Sequence, residues 1–136
     1  MAGEICPMEQ AVEWFVFATS IVVGLSHMLY PGEWGVAFAA LHRAGRPGAF
    51  ANGGLSLMPG AAIVAGHPVW SGPAAVLTVF GCLLIAKGVV CFLAPDRALV
   101  SMARGSSGRG FRAAGGLLLL FSAWVGYCLW ATGGRA

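Results

Sequence analysis

The sequence contains four long apolar stretches joined by short polar or glycine-rich connections. They lie at roughly residues 11–30, 49–66, 73–94 and 113–131. A helix needs about 20 mostly apolar residues to cross the hydrocarbon core of a bilayer. The short alternating segments of a membrane β-barrel are absent from the pattern. We therefore predict an all-α, polytopic membrane protein with four transmembrane helices in a single membrane domain, 1–136. Pro59 is expected to interrupt the second helix.

The composition supports this class. The chain is 58% hydrophobic and 10% charged, whereas soluble domains average about 25% charged residues. The net charge of +3 is small and the basic residues lie mostly between the apolar stretches, so nucleic acid is not an expected partner. The first residues contain glutamates but no basic residue. They therefore lack the basic start of a signal peptide, and the first stretch is kept as a span.

Basic residues between the spans predict the orientation. Connections 31–48 and 95–112 contain six arginines, whereas 67–72 contains no lysine or arginine. Because Lys and Arg accumulate on the cytoplasmic side, we expect these two basic connections to be cytoplasmic and both termini to lie outside. Segments 33–43 and 96–104 are short and amphipathic, which is typical of interfacial helices. Asp96 is expected to cap the second of these helices.

The two halves of the chain, 11–66 and 73–131, resemble each other. The segment from Gly24 to Pro31 aligns with the segment from Gly88 to Pro95, and Gly-Gly pairs follow at 53–54 and 115–116. The fold is therefore predicted as two tandem helical hairpins in a parallel repeat, related by a pseudo-twofold axis along the membrane normal. The alternative is a chance match between segments rich in glycine and proline.

Lys87 is the most informative polar residue, because it lies inside the third span with seven residues between it and Pro95. An ionisable residue inside a membrane span indicates a functional site. The alternative interpretation is a side chain that reaches the headgroups or has a structural partner. The other binding candidates at the same depth are Ser26, His27, Glu33 and Asn52.

Glu13 and His67 form a second candidate pair, because one opens the first span and the other closes the second on the same side. The alternative for His67 is a simple interfacial turn, anchored by Trp70.

We predict no metal site, no catalytic residues and no cofactor. His27 and His42 lie near one face and His67 near the other, so the three histidines do not converge, and haem binding is not expected. The pattern contains no set of residues that specifies a reaction. Whether Cys6 and Cys128 form a disulfide on the outer side is left open.

A set of short motifs resembles a group of uncharacterised small bacterial membrane proteins. The motifs are His67-Pro68-Val69-Trp70, Leu77-Thr78, Gly81, Lys87-Gly88 and Pro95. The resemblance covers about one turn and one span. It implies a four-helix fold in a bacterial cytoplasmic membrane, and it implies no particular activity.

These patterns favour a small non-enzymatic integral membrane protein. We expect an accessory or structural subunit of a membrane complex, or a homo-oligomer, because packing residues are abundant and reactive ones are sparse. The alternative is a transporter or channel for a small solute or ion, built on the polar cluster around Lys87. A weaker alternative is a membrane enzyme acting on a lipid or quinone, with His27 or Glu13 in its pocket.

Overall fold

The computed structural model describes residues 7–105 and 107–133, and the elements in these ranges are helical. They are α1 (Pro7–Leu29), α2 (Pro31–Arg43), α3 (Arg46–Gly66), α4 (Ala75–Leu93), α5 (Pro95–Gly105) and α6 (Gly108–Gly133). The four longer helices, α1, α3, α4 and α6, are long and apolar enough to cross a membrane. The prediction of an all-helical chain with four candidate membrane spans is therefore confirmed.

Two of the membrane helices, α1 and α4, end close to a proline. Pro31 and Pro95 begin α2 and α5, where a residue without an N–H group fits the first helical turn. The residues before them, Tyr30 and Ala94, leave the helical conformation, with φ/ψ angles of −125°/50° and −135°/61°. This behaviour is expected because a proline ring excludes the helical conformation from its predecessor.

Pro59 does not interrupt α3, contrary to the prediction from the sequence. The helix is continuous from Arg46 to Gly66. Its buried face includes Ser56 and Gly60, on either side of the proline. This face packs along α4, and we attribute the continuity of the helix to that packing.

The closest helix pairs are α3 with α4 and α1 with α6. These pairs join the two halves of the sequence, whereas the sequence predicted a hairpin within each half; α1 and α3 make only a minor contact. Helices α2 and α5 touch each other and the membrane helices at one end. We call this end the arginine end, because α2, α5 and the starts of α3 and α6 hold Arg43, Arg46, Arg97, Arg104, Arg109 and Arg112. The opposite end, with the connection 67–74, is the loop end.

Glycines allow the paired helices to approach closely. A methyl group on Gly115 would lie 2.8 Å from the carbonyl oxygen of Gly24. On Gly53 it would lie 2.7 Å from Cβ of Cys91, and on Gly88 2.7 Å from Cβ of Leu57. Small residues at such crossings are how membrane helices gain packing energy without a hydrophobic driving force. These glycines therefore serve contacts within the chain.

The loop end has the larger apolar core and an aromatic rim. Val16, Ile63, Leu77, Val125 and Leu129 form a buried cluster there. Trp14, Trp70, Trp124 and Trp130 are exposed around it. Exposed tryptophans near a span end are typical of residues at a membrane interface.

Candidate functional site

A cavity of about 450 Å³ opens at the arginine end, bounded by every helix except α1. Apolar side chains of Phe38, Val90, Met102 and Phe111 form much of its wall. The polar lining residues include Asn52, Lys87, Arg97 and Ser101. Lys87 and Arg97 are cations, and no acidic side chain is present among the lining residues that the structure describes.

Lys87 enters this cavity with one side-chain partner. Its Nζ atom donates a hydrogen bond to Oδ1 of Asn52 at 3.4 Å. Asn52 is buried, and its Nδ2 atom lies 4.0 Å from Sγ of Cys91, so its amide oxygen is directed toward the lysine. An ammonium group has three protons to donate. In the described part of the chain Asn52 is the one side-chain acceptor for Nζ, which leaves donor capacity for a ligand.

The acidic residues near Lys87 have other positions. Asp96 pairs with Arg46 in an exposed ion pair with an N–O distance of 3.1 Å. The expectation that Asp96 caps α5 was wrong, because the helix already begins at Pro95 and Asp96 lies in its first turn. Glu33 lines a separate, shallower pocket with Ser26.

His27 is held away from the cavity by its neighbours. Its Nδ1 atom is 2.8 Å from the carbonyl oxygen of Val23, and its ring stacks on Trp34 with centroids 4.1 Å apart. Trp34 in turn donates from Nε1 to Oγ of Ser26 at 2.9 Å. The five binding candidates therefore divide into two places: Lys87 and Asn52 meet at the cavity, whereas Ser26, His27 and Glu33 gather around Trp34.

Arg97 and the aromatic wall were not among the candidates from the sequence. Arg97 was counted only as a signal for orientation. The signal that identifies it is the break at Pro95, after which α5 packs against α3 and α4 and brings Arg97 to the cavity. Phe38 and Phe111 lie far from Lys87 in sequence, and helix packing alone brings them to it.

At the loop end, the structure brings Glu13 and His67 together. His67 Nε2 lies 3.2 Å from Glu13 Oε1, and both residues are buried. His67 Nδ1 lies 3.1 Å from Thr78 Oγ1, which itself donates to the carbonyl oxygens of His67 and Val69, each at 2.7 Å. Because the hydroxyl proton is used on these carbonyls, Nδ1 must carry a proton and donate it to Thr78.

Nε2 of His67 then faces Oε1 of Glu13. A single proton shared between these two atoms would leave the pair without net charge, which is favourable in a dry interior. Glu13 also lines a narrow gap that has no room for a water molecule. The network thus anchors the connection after α3 onto α1 and α4, and it offers no space for a ligand.

Within residues 7–105 and 107–133, no three His, Cys, Asp or Glu side chains gather as a metal site. His42 lines a third pocket beside Arg43, apart from His27 and from His67. Cys6 lies outside the described residues, so its pairing with Cys128 stays open.

The fold and the cavity define a class: a multi-pass helical membrane protein with a cavity at one end. The walls of that cavity are mostly apolar, and its charged residues are the cations Lys87 and Arg97 among the residues that the structure describes. Comparisons of the chain with models of protein families, with curated proteins and with solved structures find no match. Function is therefore inferred from the geometry of the cavity.

Proposed function

We propose that this chain is a non-enzymatic membrane protein that binds a small anionic amphiphile in the Lys87 cavity, as a carrier of that solute. The observation that supports this most is the lining: apolar walls with Lys87 and Arg97 but no acid among the described residues. Small-molecule sites are mostly apolar with a few convergent polar groups that fix the orientation of the ligand. Here those groups select a negative charge.

The position of Lys87 favours a ligand over a purely structural role. An unpaired ammonium group within a membrane span is costly, and a neutral amide at 3.4 Å offsets only part of that cost. A bound carboxylate or phosphate would supply the missing charge. The apolar part of the ligand would pack against Phe38, Met102 and Phe111. These side chains would then contact the ligand instead of lipid or water.

We further propose that the arginine end faces the cytoplasm of a bacterial cell, with α2 and α5 lying in the membrane interface. The concentration of arginines at this end supports the orientation. In α5, Ala98 and Met102 are buried while Arg97 and Arg104 are exposed, the pattern of an interfacial helix. Both chain termini would then be outside, and the ligand would enter from the cytoplasmic side.

We also propose that the two halves of the chain are a parallel repeat. Matching contacts support it. A methyl group on Gly24 would meet Leu119 at 3.0 Å and Gly115 O at 3.1 Å. On Gly88 it would meet Leu57 at 2.7 Å and Gly53 O at 3.1 Å. Gly88, Leu57 and Gly53 are the residues that the repeat alignment pairs with Gly24, Leu119 and Gly115.

Thermal unfolding of the purified protein in mild detergent tests the proposed ligand class. Octanoate and 2-naphthoate serve as anions, and octylammonium serves as a cation of similar size. A ligand that binds only the folded state raises the melting temperature by mass action. Both anions are expected to stabilise the wild type and Lys87→Arg, but not Lys87→Met, whereas octylammonium stabilises none of them.

Arg104→Met is the matched control, because it removes an exposed cation from the same end without touching the cavity lining. Its response to the anions should equal that of the wild type. The proposal is overturned if neither anion raises the melting temperature, or if Lys87→Met and the wild type respond equally.

A second candidate function is self-association or assembly into a larger membrane complex. Gly54 and Gly116 favour it: a methyl group on either would meet nothing within 4 Å, so a partner helix has room to approach. Mass photometry in mild detergent tests this candidate. A strictly monomeric particle that carries no co-purifying protein would exclude it.

A further inference from the structure

The Lys87 cavity has a smaller and shallower counterpart in the first half of the chain. When the repeat alignment of 24–31 with 88–95 is continued at the same offset of 64 residues, Ser26, Glu33 and Ala37 pair with Val90, Arg97 and Ser101. The first three line the shallow pocket beside Trp34, and the last three line the large cavity. The two pockets thus occupy corresponding places, and they differ in the side chains around them.

In the first half, aromatic rings stand next to the pocket and occupy part of the space. The indole of Trp34 stacks on the imidazole of His27 with ring planes 21° apart. The ring of Phe111, which comes from the second half, lies on the other side of His27 with centroids 5.7 Å apart and also lines the large cavity.

In the second half, small side chains stand at the same places. Ala98 corresponds to Trp34 and Cys91 to His27, and both belong to one small buried cluster. Cys91 and Ala98 also line the cavity of about 450 Å³, so their small side chains leave room there that an imidazole and an indole would take up.

The charges at the two places also differ. Glu33 at the shallow pocket corresponds to Arg97 at the Lys87 cavity. Val23, which supplies only a backbone carbonyl to His27, corresponds to Lys87. An occupant of the open cavity therefore meets two cations, where the first half has one acid and one apolar side chain.

We propose that the occupant of the cavity is a planar aromatic anion, with a ring system about the size of an indole. This inference rests on the proposed function and names its ligand class. The ring would take the place that the Trp34 indole has in the other half, beside Phe38 and Phe111. Its carboxylate would be directed toward Lys87 and Arg97. Aromatic rings gain energy from such neighbours beyond the area that they bury.

The direct test compares aryl and alkyl carboxylates on the wild-type protein. Indole-3-acetate and 2-naphthoate are titrated against octanoate and decanoate by isothermal calorimetry in detergent. We expect the aryl acids to bind about tenfold more tightly, as ring contacts of this kind predict. Equal or tighter binding of the alkyl acids would overturn the inference.

Two variants test the place of the ring. Ala98→Trp supplies the indole that the first half has, so it should fill the cavity and abolish binding of 2-naphthoate. Trp34→Ala enlarges the counterpart pocket. Neutral indole should therefore raise the melting temperature of this variant and should leave that of the wild type unchanged. Circular dichroism and gel filtration establish folding of each variant. A folded Ala98→Trp that binds 2-naphthoate as the wild type does would contradict the inference, as would a Trp34→Ala that indole leaves unchanged.

Failure of this inference is distinguishable from failure of the proposed function. If alkyl and aryl acids bind equally and both lose binding in Lys87→Met, the aromatic specificity is wrong and the anion site stands. If neither class binds the wild type, the proposed function and this inference both fail.

Discussion

His67 Nε2 and Glu13 Oε1 lie 3.2 Å apart in the interior of the loop end, where the two residues are 0% and 5% exposed. The contact joins α1 to the residue that follows α3, and Thr78 extends it to α4 through His67 Nδ1. Three helices are thus connected through one imidazole ring. Because both ring nitrogens have a partner, replacement of either partner leaves a buried polar atom unpaired, at a cost of about 1–3 kcal/mol.

The first prediction concerns Glu13. Glu13→Leu should lower the melting temperature clearly, because it strands His67 Nε2 without a partner in an apolar interior. Glu13→Gln should lower it much less, since the amide can still donate to Nε2. Thermal unfolding in detergent, followed by circular dichroism, measures both. Glu9→Gln, at a half-buried position one turn earlier in α1 and away from the His67 network, is the control and should have little effect. A Glu13→Leu variant as stable as Glu13→Gln would show that the pair contributes nothing to the fold.

The second prediction concerns Thr78. Thr78→Val preserves the shape but removes the hydroxyl that bonds two carbonyl oxygens and accepts from His67. We expect a loss of stability of about 1–3 kcal/mol. Thr19→Val is the matched control, because the Thr19 hydroxyl donates to the carbonyl oxygen of Phe15 in its own helix. Loss of this hydroxyl leaves the backbone hydrogen bonds of the helix in place. Equal melting temperatures for the two variants would contradict the prediction.

The third prediction separates neighbouring glycines. A methyl group on Gly115 would lie 2.8 Å from Gly24 O, and one on Gly53 would lie 2.7 Å from Cys91 Cβ. Gly115→Ala and Gly53→Ala should each cost about 1–3 kcal/mol, because the paired helices must move apart. The melting temperature measures this cost.

The adjacent residues are the controls, because Gly116 and Gly54 have open space at the corresponding position. Gly116→Ala and Gly54→Ala should be neutral or raise stability by about 0.5–1 kcal/mol, since alanine favours the helix. Equal effects within each adjacent pair would show that the helices do not cross at Gly115 and Gly53.

The sequence predicted the membrane helices well because their signal is local. An apolar run of sufficient length and a proline near its end can be recognised without knowledge of distant residues. As expected, α1 and α4 each end one residue short of a proline, Pro31 and Pro95. The prediction for Pro59 was wrong for the opposite reason: whether a proline interrupts a helix depends on the helix that packs against it.

The site was only partly predictable. Lys87 and Asn52 were selected together by depth, which is a one-dimensional property, and the structure brings their side chains together. Depth alone also selected His27 and Glu33, which lie around Trp34 instead. Which of these polar residues meet in space depends on the pairing of α3 with α4 and of α1 with α6. No short sequence pattern determines that pairing.

The last prediction tests the orientation on which the route of the ligand depends. In a background whose native cysteines are replaced by alanine, Ser71→Cys places a thiol at the loop end and Ser107→Cys places one at the arginine end; both positions are exposed. If the arginine end is cytoplasmic, a membrane-impermeant maleimide should label position 71 in intact cells. It should label position 107 only after permeabilisation. Equal labelling of the two purified variants in detergent establishes that both thiols are reactive. Labelling of position 107 in intact cells, with position 71 protected, would invert the topology and place the Lys87 cavity on the outer side.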